Sequence, residues 1–224
     1  MEMEDVRDKI VLAALSHVVF DGWTIRSLRS GAVDAGFEAG IVAQVFPLGV
    51  VEAVEHFFAL GDRRMVADLA STPFGDRRPR ERLAIALRCR LEPWTRERDA
   101  VRRAVSLLAL PPHAAAAARC THRTVDAVWY AVGDTATDFT YYTKRGMLAA
   151  VYITALMYWL GDGSDDSADT WNFIDRRTAG MTGVSQLRER IGRGLMYIPN
   201  PLRIFRPKKR GGRREVGPMP DFEL

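Results

Sequence analysis

The stretch VDAVWYAVGDTATDFTYYTKRGMLAAVYITALMYWL, Val125 to Leu160, sets the character of the whole chain. Its first half mixes aromatic and charged residues. Its last fifteen, Gly146 to Leu160, hold one polar residue, Thr154, apart from the tyrosine hydroxyls. A helix of that composition has no face suited to bulk water, so it is expected in a core or along an apolar cavity. It also falls short of the roughly 18 to 20 apolar residues needed to span a bilayer.

On either side of this stretch, the chain reads as helices separated by glycine and proline. Val6, Ile10, Val11, Ala14, Leu15, Val18 and Val19 recur at steps of three and four, which is one apolar helical stripe ended by Gly22. Thr24 caps a second helix closed by Gly36, and Glu38 to Phe46 is expected as a third, stopped by Pro47. Together these predict a helix-turn-helix head. A longer amphipathic helix is expected over Leu48 to Ala70. The linker STPFGDRRPR comes next, then helices near Glu81 to Leu91, through Val101, Val105 and Leu108, and from Ala114 to about Tyr130. Gly133 and Asp134 turn into the apolar helix, with Asp134 or Thr137 as its cap, and Gly161 and Gly163 stop it. Ser164, Asp165 or Asp166 is expected to open a last helix bearing Trp171, Phe173 and Ile174. No segment alternates as a strand. The prediction is all-α, with a head at residues 1–70, a helical body at 80–190 and a tail at 191–224.

Apolar content of 47% and charged content of 27% are those of a globular protein, with a net charge of +4. Cys89 and Cys120 have no CxxC or Cys/His spacing, so neither a disulfide scaffold nor a metal site is expected. The four aspartates of GDGSDDSADTW lack the order of a calcium loop and read as a capped turn. His17, His56, His113 and His122 are scattered, and there is no phosphate loop, nucleophile elbow or di-iron ExxH pair. No catalytic residue, metal or cofactor is expected. The opening MEMEDVRDK carries no signal-peptide pattern, which leads us to expect a bacterial cytoplasm, or a mitochondrial matrix for a processed form.

Two further patterns suggest contact surfaces. Asp134, Asp138, Tyr141 and Arg145 fall at steps of four, three and four and share a helical face with Tyr142 beside them. Aromatic and arginine side chains anchor interfaces, although a helix N-cap with an internal Asp138 to Arg145 or Asp138 to Tyr142 arrangement on a solvated face fits the same spacing. In the tail, Leu195, Met196, Tyr197, Ile198, Leu202, Ile204 and Phe205 adjoin a basic run that includes Lys208, Lys209 and Arg210. An apolar insert beside a polybasic patch is a two-signal membrane anchor, each basic residue adding ~1 kcal/mol at an anionic surface. The alternative is a tail folded back on the chain. Gly192, Gly194, Pro199, Pro201 and Pro207 argue against a long regular helix past Arg190.

The runs AVSLLALP at Ala104 to Pro111, RTVDAVWYAVGDTATDFTYYTKRGMLAAVY at Arg123 to Tyr152 and DTWNFIDRR at Asp169 to Arg177 resemble a ubiquinone-biosynthesis family. That family is coenzyme Q biosynthesis protein nine. RDKIVLAAL and Gly22-Trp23-Thr24 extend the likeness from about Met3 to Gly183. The resemblance implies a TetR-like fold with a lipid-binding and dimerising body, a homodimer, and a non-enzymatic role at the inner membrane. It implies an isoprenoid pocket, for which Met147, Leu148, Val151, Ile153, Leu156, Met157 and Leu160 are the candidate walls. It implies presentation of a quinone precursor to a di-iron demethoxyubiquinone hydroxylase across the Asp134 to Arg145 surface. The family commonly has Trp where this chain has Tyr141, and it ends in an amphipathic membrane helix that the tail here does not reproduce. A DNA-binding repressor with a lipid-sensing body is the alternative. However, the third helix offers little beyond Gln44 to read bases, and its Glu38 repels phosphate. Nucleic acid is therefore not expected as the partner.

Overall fold

The computed structural model describes the backbone of residues 2–133 and 140–195 and the side chains of 2–133 and 142–181. Among these residues the elements are helical: α1 (Met3–Asp21), α2 (Ile25–Asp34), α3 (Ile41–Val45), α4 (Val50–Ala70), α5 (Pro79–Leu91), α6 (Arg98–Leu108), α7 (Ala114–Ala131), α8 (Thr140–Gly161) and α9 (Ala168–Leu195). The chain divides into two units, Met1–Val184 and Ser185–Leu224, and the first holds α1 to α8 with the opening turns of α9.

The head forms as its caps dictate. Gly22 takes φ +71°, and Thr24 then accepts from the Ser27 amide at 3.1 Å while Ser27 returns the bond to the Thr24 amide, a reciprocal cap for α2. Gly31 lets α2 lie directly on α1, because a Cβ there would come within 2.6 Å of the Ala14 backbone. The third helix is shorter than the expected Glu38 to Phe46. Glu38 to Gly40 form a turn instead, and Phe46 leaves helical geometry ahead of Pro47. Val42 and Val45 are buried, so only Ala43 and Gln44 of α3 face outward.

Head and body helices share one apolar cluster. The Trp23 indole donates to the Ala100 carbonyl at 3.0 Å, and Phe57 of α4 sits between Trp23 and Trp94 with centroids 5.4 and 4.7 Å away. His56 of α4 bonds Asp8 of α1 at 2.6 Å, and Arg63 bonds the same carboxylate. Burial lowers the His56 pKa, against the opposing pull of Asp8.

Farther along α4, Asp62 is almost fully buried and accepts from Arg90 of α5 at 2.8 Å, Arg123 of α7 at 3.1 Å and Thr124 at 2.8 Å. Arg90 also donates to the Phe58 carbonyl and Arg123 to the Glu55 carbonyl. A buried carboxylate is tolerable only when its charge and lone pairs are met in this way. Gly61 provides the room, since a Cβ there would stand 2.7 Å from the Arg90 guanidinium. The last helix continues past Arg190 to Leu195, through both Gly192 and Gly194, which corrects the expected stop. Glycine lowers helix propensity by about 1 kcal/mol and does not forbid a helix.

Glycine substitutions separate clearance from propensity. Gly31→Ala should destabilise by about 1–3 kcal/mol, because backbone stands where the methyl group would go. Gly146→Ala on the exposed side of α8 meets nothing within 4 Å and should stabilise by about 0.5–1 kcal/mol. Urea unfolding of the two variants checks both signs.

Candidate functional site

The α7–α8 hairpin carries the lipid-binding candidates and, of the partner candidates, Tyr142 and Arg145. Its inner seam is fixed by polar contacts at both ends of α8. Near the start, the Arg145 Nε bonds Asp126 of α7 at 2.5 Å, and His122 bonds the other Asp126 oxygen at 3.0 Å. In the middle, Tyr152 is buried beside the Asp62 and Arg90 pair, where burial raises its pKa against the lowering effect of Arg90. At the far end, Arg98 of α6 donates to the Asp162 carbonyl at 2.5 Å and lies 4.8 Å over the Trp159 ring, while Arg102 donates to the Leu160 carbonyl. Two arginines thus meet the carbonyl end of α8, where a helix carries partial negative charge.

The candidate lipid residues divide between two faces. Leu148, Val151, Leu156 and Leu160 are buried with Tyr152, Ala155 and Trp159 in the core, and Met147 is half-buried. Ile153 is 45% exposed and Met157 47% exposed. The seven residues therefore do not line one cavity. Positions 153 and 157 lie one turn apart on a different side from 148, 152 and 159, as 3.6 residues per turn requires. The expectation that no part of this helix meets solvent is corrected too. The outward face runs through Tyr142, Gly146, Ala150, Ile153, Thr154, Met157 and Tyr158 and carries no charged residue. Thr154 turns its hydroxyl back onto the Ala150 and Val151 carbonyls, at 2.7 and 3.0 Å, so even it presents mostly its methyl group. Tyr158 stacks on Phe173 of α9 at 4.8 Å and extends that surface.

Of the candidate partner residues, Tyr142 is 77% exposed, whereas the Arg145 side chain is only 16% exposed and is held on α7. Arg145 is therefore a packing residue of the hairpin as well as a surface candidate. Asp134, Asp138 and the Tyr141 side chain lie outside the described residues, as do the Leu195 side chain, Met196, Tyr197, Ile198, Leu202, Ile204, Phe205, Lys208, Lys209 and Arg210.

Sequence reasoning missed the role of Asp162. It accepts from the Ser164 amide at 2.8 Å, the Ser164 hydroxyl at 2.6 Å, the Thr170 amide at 2.9 Å and the Thr170 hydroxyl. The turn from α8 into α9 is closed by this carboxylate together with Ser164, whose hydroxyl accepts from the Asp169 amide at 3.1 Å. The positive φ of Asp166 and Ser167, 50° and 58°, makes this bend tight. Burial raises the Asp162 pKa, but the four hydrogen bonds outweigh it and bring it to about 2. Cys89 and Cys120 are free thiols, with Cys120 pushed up to about 11 by burial. Among the described residues no helix is long and apolar enough to cross a membrane, and no group of three or more His, Cys, Asp or Glu could hold a metal.

Because the folded Asp162 holds its proton more weakly than the unfolded one, its contribution is full above about pH 4. It is lost as pH falls toward 2, where the unfolded chain has already taken up the proton. Asp162→Ala should lower stability at neutral pH and flatten its fall between pH 4 and 2, as read by acid titration of thermal unfolding.

Residues 114–185, which run from the start of α7 into α9, match the COQ9 family model. The chain is 34% identical over 180 residues to "Ubiquinone biosynthesis protein COQ9, mitochondrial" of Drosophila melanogaster, covering 79% of this chain and 55% of that protein. It is 31% identical over 188 residues to the Homo sapiens protein of the same name, covering 78% and 57%. The chain thus spans little more than half the length of these relatives. Among solved structures, a TetR transcriptional regulator from Nitrosomonas europaea ATCC 19718 superposes with a TM-score of 0.64 at 20% identity, over 80% of this chain and 98% of that one. At that identity the likeness concerns the fold. The chain carries a COQ9-family domain on a helical fold of the TetR type.

Proposed function

We propose that this chain is a non-enzymatic lipid-binding accessory protein of ubiquinone biosynthesis. It takes up an isoprenoid quinone precursor at a membrane surface and presents it to a di-iron hydroxylase. The observation that carries the proposal is the uncharged outward face of α8, which falls inside the COQ9-family domain. A soluble helix normally turns charge toward water. Here Ile153 and Met157 supply apolar contact, Met157 adapts its shape to a flexible chain, and the tight core beneath keeps the face in position. The names of the relatives supply the pathway. The compartment goes with the pathway: the inner membrane surface on the cytoplasmic side in a bacterium, or the matrix side in a mitochondrion.

Burial divides the roles among the residues. The buried Leu148, Val151, Leu156 and Leu160 hold α8 in place, while Ile153 and Met157 contact the lipid. Tyr142, exposed at the other end of the same face, is the hydroxylase anchor, and Arg145 positions the hairpin through Asp126. The tail from Leu195 to Arg210 provides membrane attachment. A repressor reading draws on the exposed Arg26 and Arg29 of α2, but α3 presents only Ala43 and Gln44 to a groove. Absence of a sequence-specific DNA shift at low salt would dispose of it.

Native mass spectrometry of the purified protein should find isoprenoid lipid bound, and the emptied protein should take up added ubiquinone precursor. A protein that stays empty in both experiments would sink the proposal. Ile153→Glu with Met157→Glu should cut uptake by at least roughly tenfold with the helical circular dichroism unchanged, since neither side chain is in the core. Tyr142→Ala should weaken hydroxylase capture without changing lipid content. Arg145→Ala should cost stability, because the half-buried Asp126 is then left with His122 alone.

A further inference from the structure

A concave site lies away from α8, where α1 meets α4 and the turn leading into α6. It is an open cleft of about 390 Å³, inside the range of small-molecule pockets. Its apolar lining comes from Leu12, Leu15 and Val19 of α1, with Pro93 and Trp94 from the turn. Leu15 and Trp94 are almost wholly buried, so the floor is part of the core and does not depend on mobile side chains. Arg64 and Arg96 supply positive charge, and Arg64 lies 5.1 Å over the Trp94 ring. Just beyond, Arg103 donates to the Val19 carbonyl at 2.7 Å and adds a third cation. Among the described residues neither Arg64 nor Arg96 has a carboxylate partner, whereas Arg7, Arg63, Arg90 and Arg123 are all ion-paired.

We infer that this site binds a small organic acid: one carboxylate held by Arg64 and Arg96, with an apolar body laid against Leu12, Leu15, Val19 and Trp94. The guanidinium fork matches a carboxylate through two parallel hydrogen bonds. Glu97 in the same lining repels a second negative charge, which favours a carboxylate over a phosphate dianion. The volume admits a short aliphatic or single-ring acid and is too small for an isoprenoid tail of many units. The α8 helix contributes nothing to the lining, so this site and the apolar face of α8 stand or fall separately. Because α1 and α4 also carry the head, an occupant here would touch head and body at once.

Titration with octanoate, followed by the tryptophan indole signals in 1H–15N spectra of the full chain, tests the inference. Octanoate should shift the Trp94 signal saturably, octanol and octyl phosphate should bind more weakly, and Arg96→Ala should weaken octanoate by about tenfold. Arg96 is exposed and without a carboxylate partner among the described residues, so its replacement leaves the fold in place. The Ile153→Glu, Met157→Glu variant should bind octanoate unchanged while losing lipid uptake. No saturable shift at Trp94, equal binding of octanol, or undiminished affinity in Arg96→Ala would overturn the inference and leave the reading of α8 untouched.

Discussion

A single buried carboxylate on α4 ties the head to the body. Asp62 joins α4, α5 and α7 through Arg90, Arg123 and Thr124, and Tyr152 brings α8 against the same cluster. Removing a charge from water costs several kcal/mol, which is recovered only if every partner is in position. The cluster therefore fixes the register of three helices at once, with the buried Tyr152 of α8 packed beside it, whereas apolar packing alone tolerates sliding by a turn. Gly61 belongs to it as much as any charged residue, because any side chain there would collide with the guanidinium.

From that anchor come the properties of α8. Its inner face is pinned by Arg145 and Asp126 near the start and by Arg98 and Arg102 at the end, with Tyr152 buried between them. With the helix locked in rotation, the outward row of Ile153, Met157 and Tyr158 cannot turn inward to escape water. An apolar surface held exposed in this way is stable only as a small patch or as a place that something else covers. The match to the COQ9 family model, residues 114–185, takes in this hairpin and the start of α9, so the uncharged outer face of α8 lies within it.

The head is built differently. Its third helix is a five-residue turn with both valines in the core, and its remaining outward positions are Ala43 and Gln44. What the head does retain is firm attachment. Trp23 is bonded to α6 and packed on Phe57, and His56 and Arg63 of α4 share the carboxylate of Asp8. Those links make the head part of the body's wall, and the small pocket bounded by Arg64 and Arg96 arises at that seam.

The helical class and several caps and breaks were legible in residue order, although the end of α9, the bounds of α3 and the Asp162 cap were not. Thr24, Gly22, Gly36, Pro47 and Gly133 act through backbone geometry that is local to them, and local geometry is written in neighbouring residues. The family was legible for the same reason, in contiguous runs such as TDFTYYTKRGMLAAVY. The composition of α8 could not tell core from exterior, because an all-apolar helix has no polar face to orient it. That Leu148 and Leu156 face the core while Ile153 and Met157 face out emerged only from the folded arrangement. The orientation rests on Asp62, Asp126 and the α6 arginines, which are distant in sequence and carry no signal of their partners until the chain is folded.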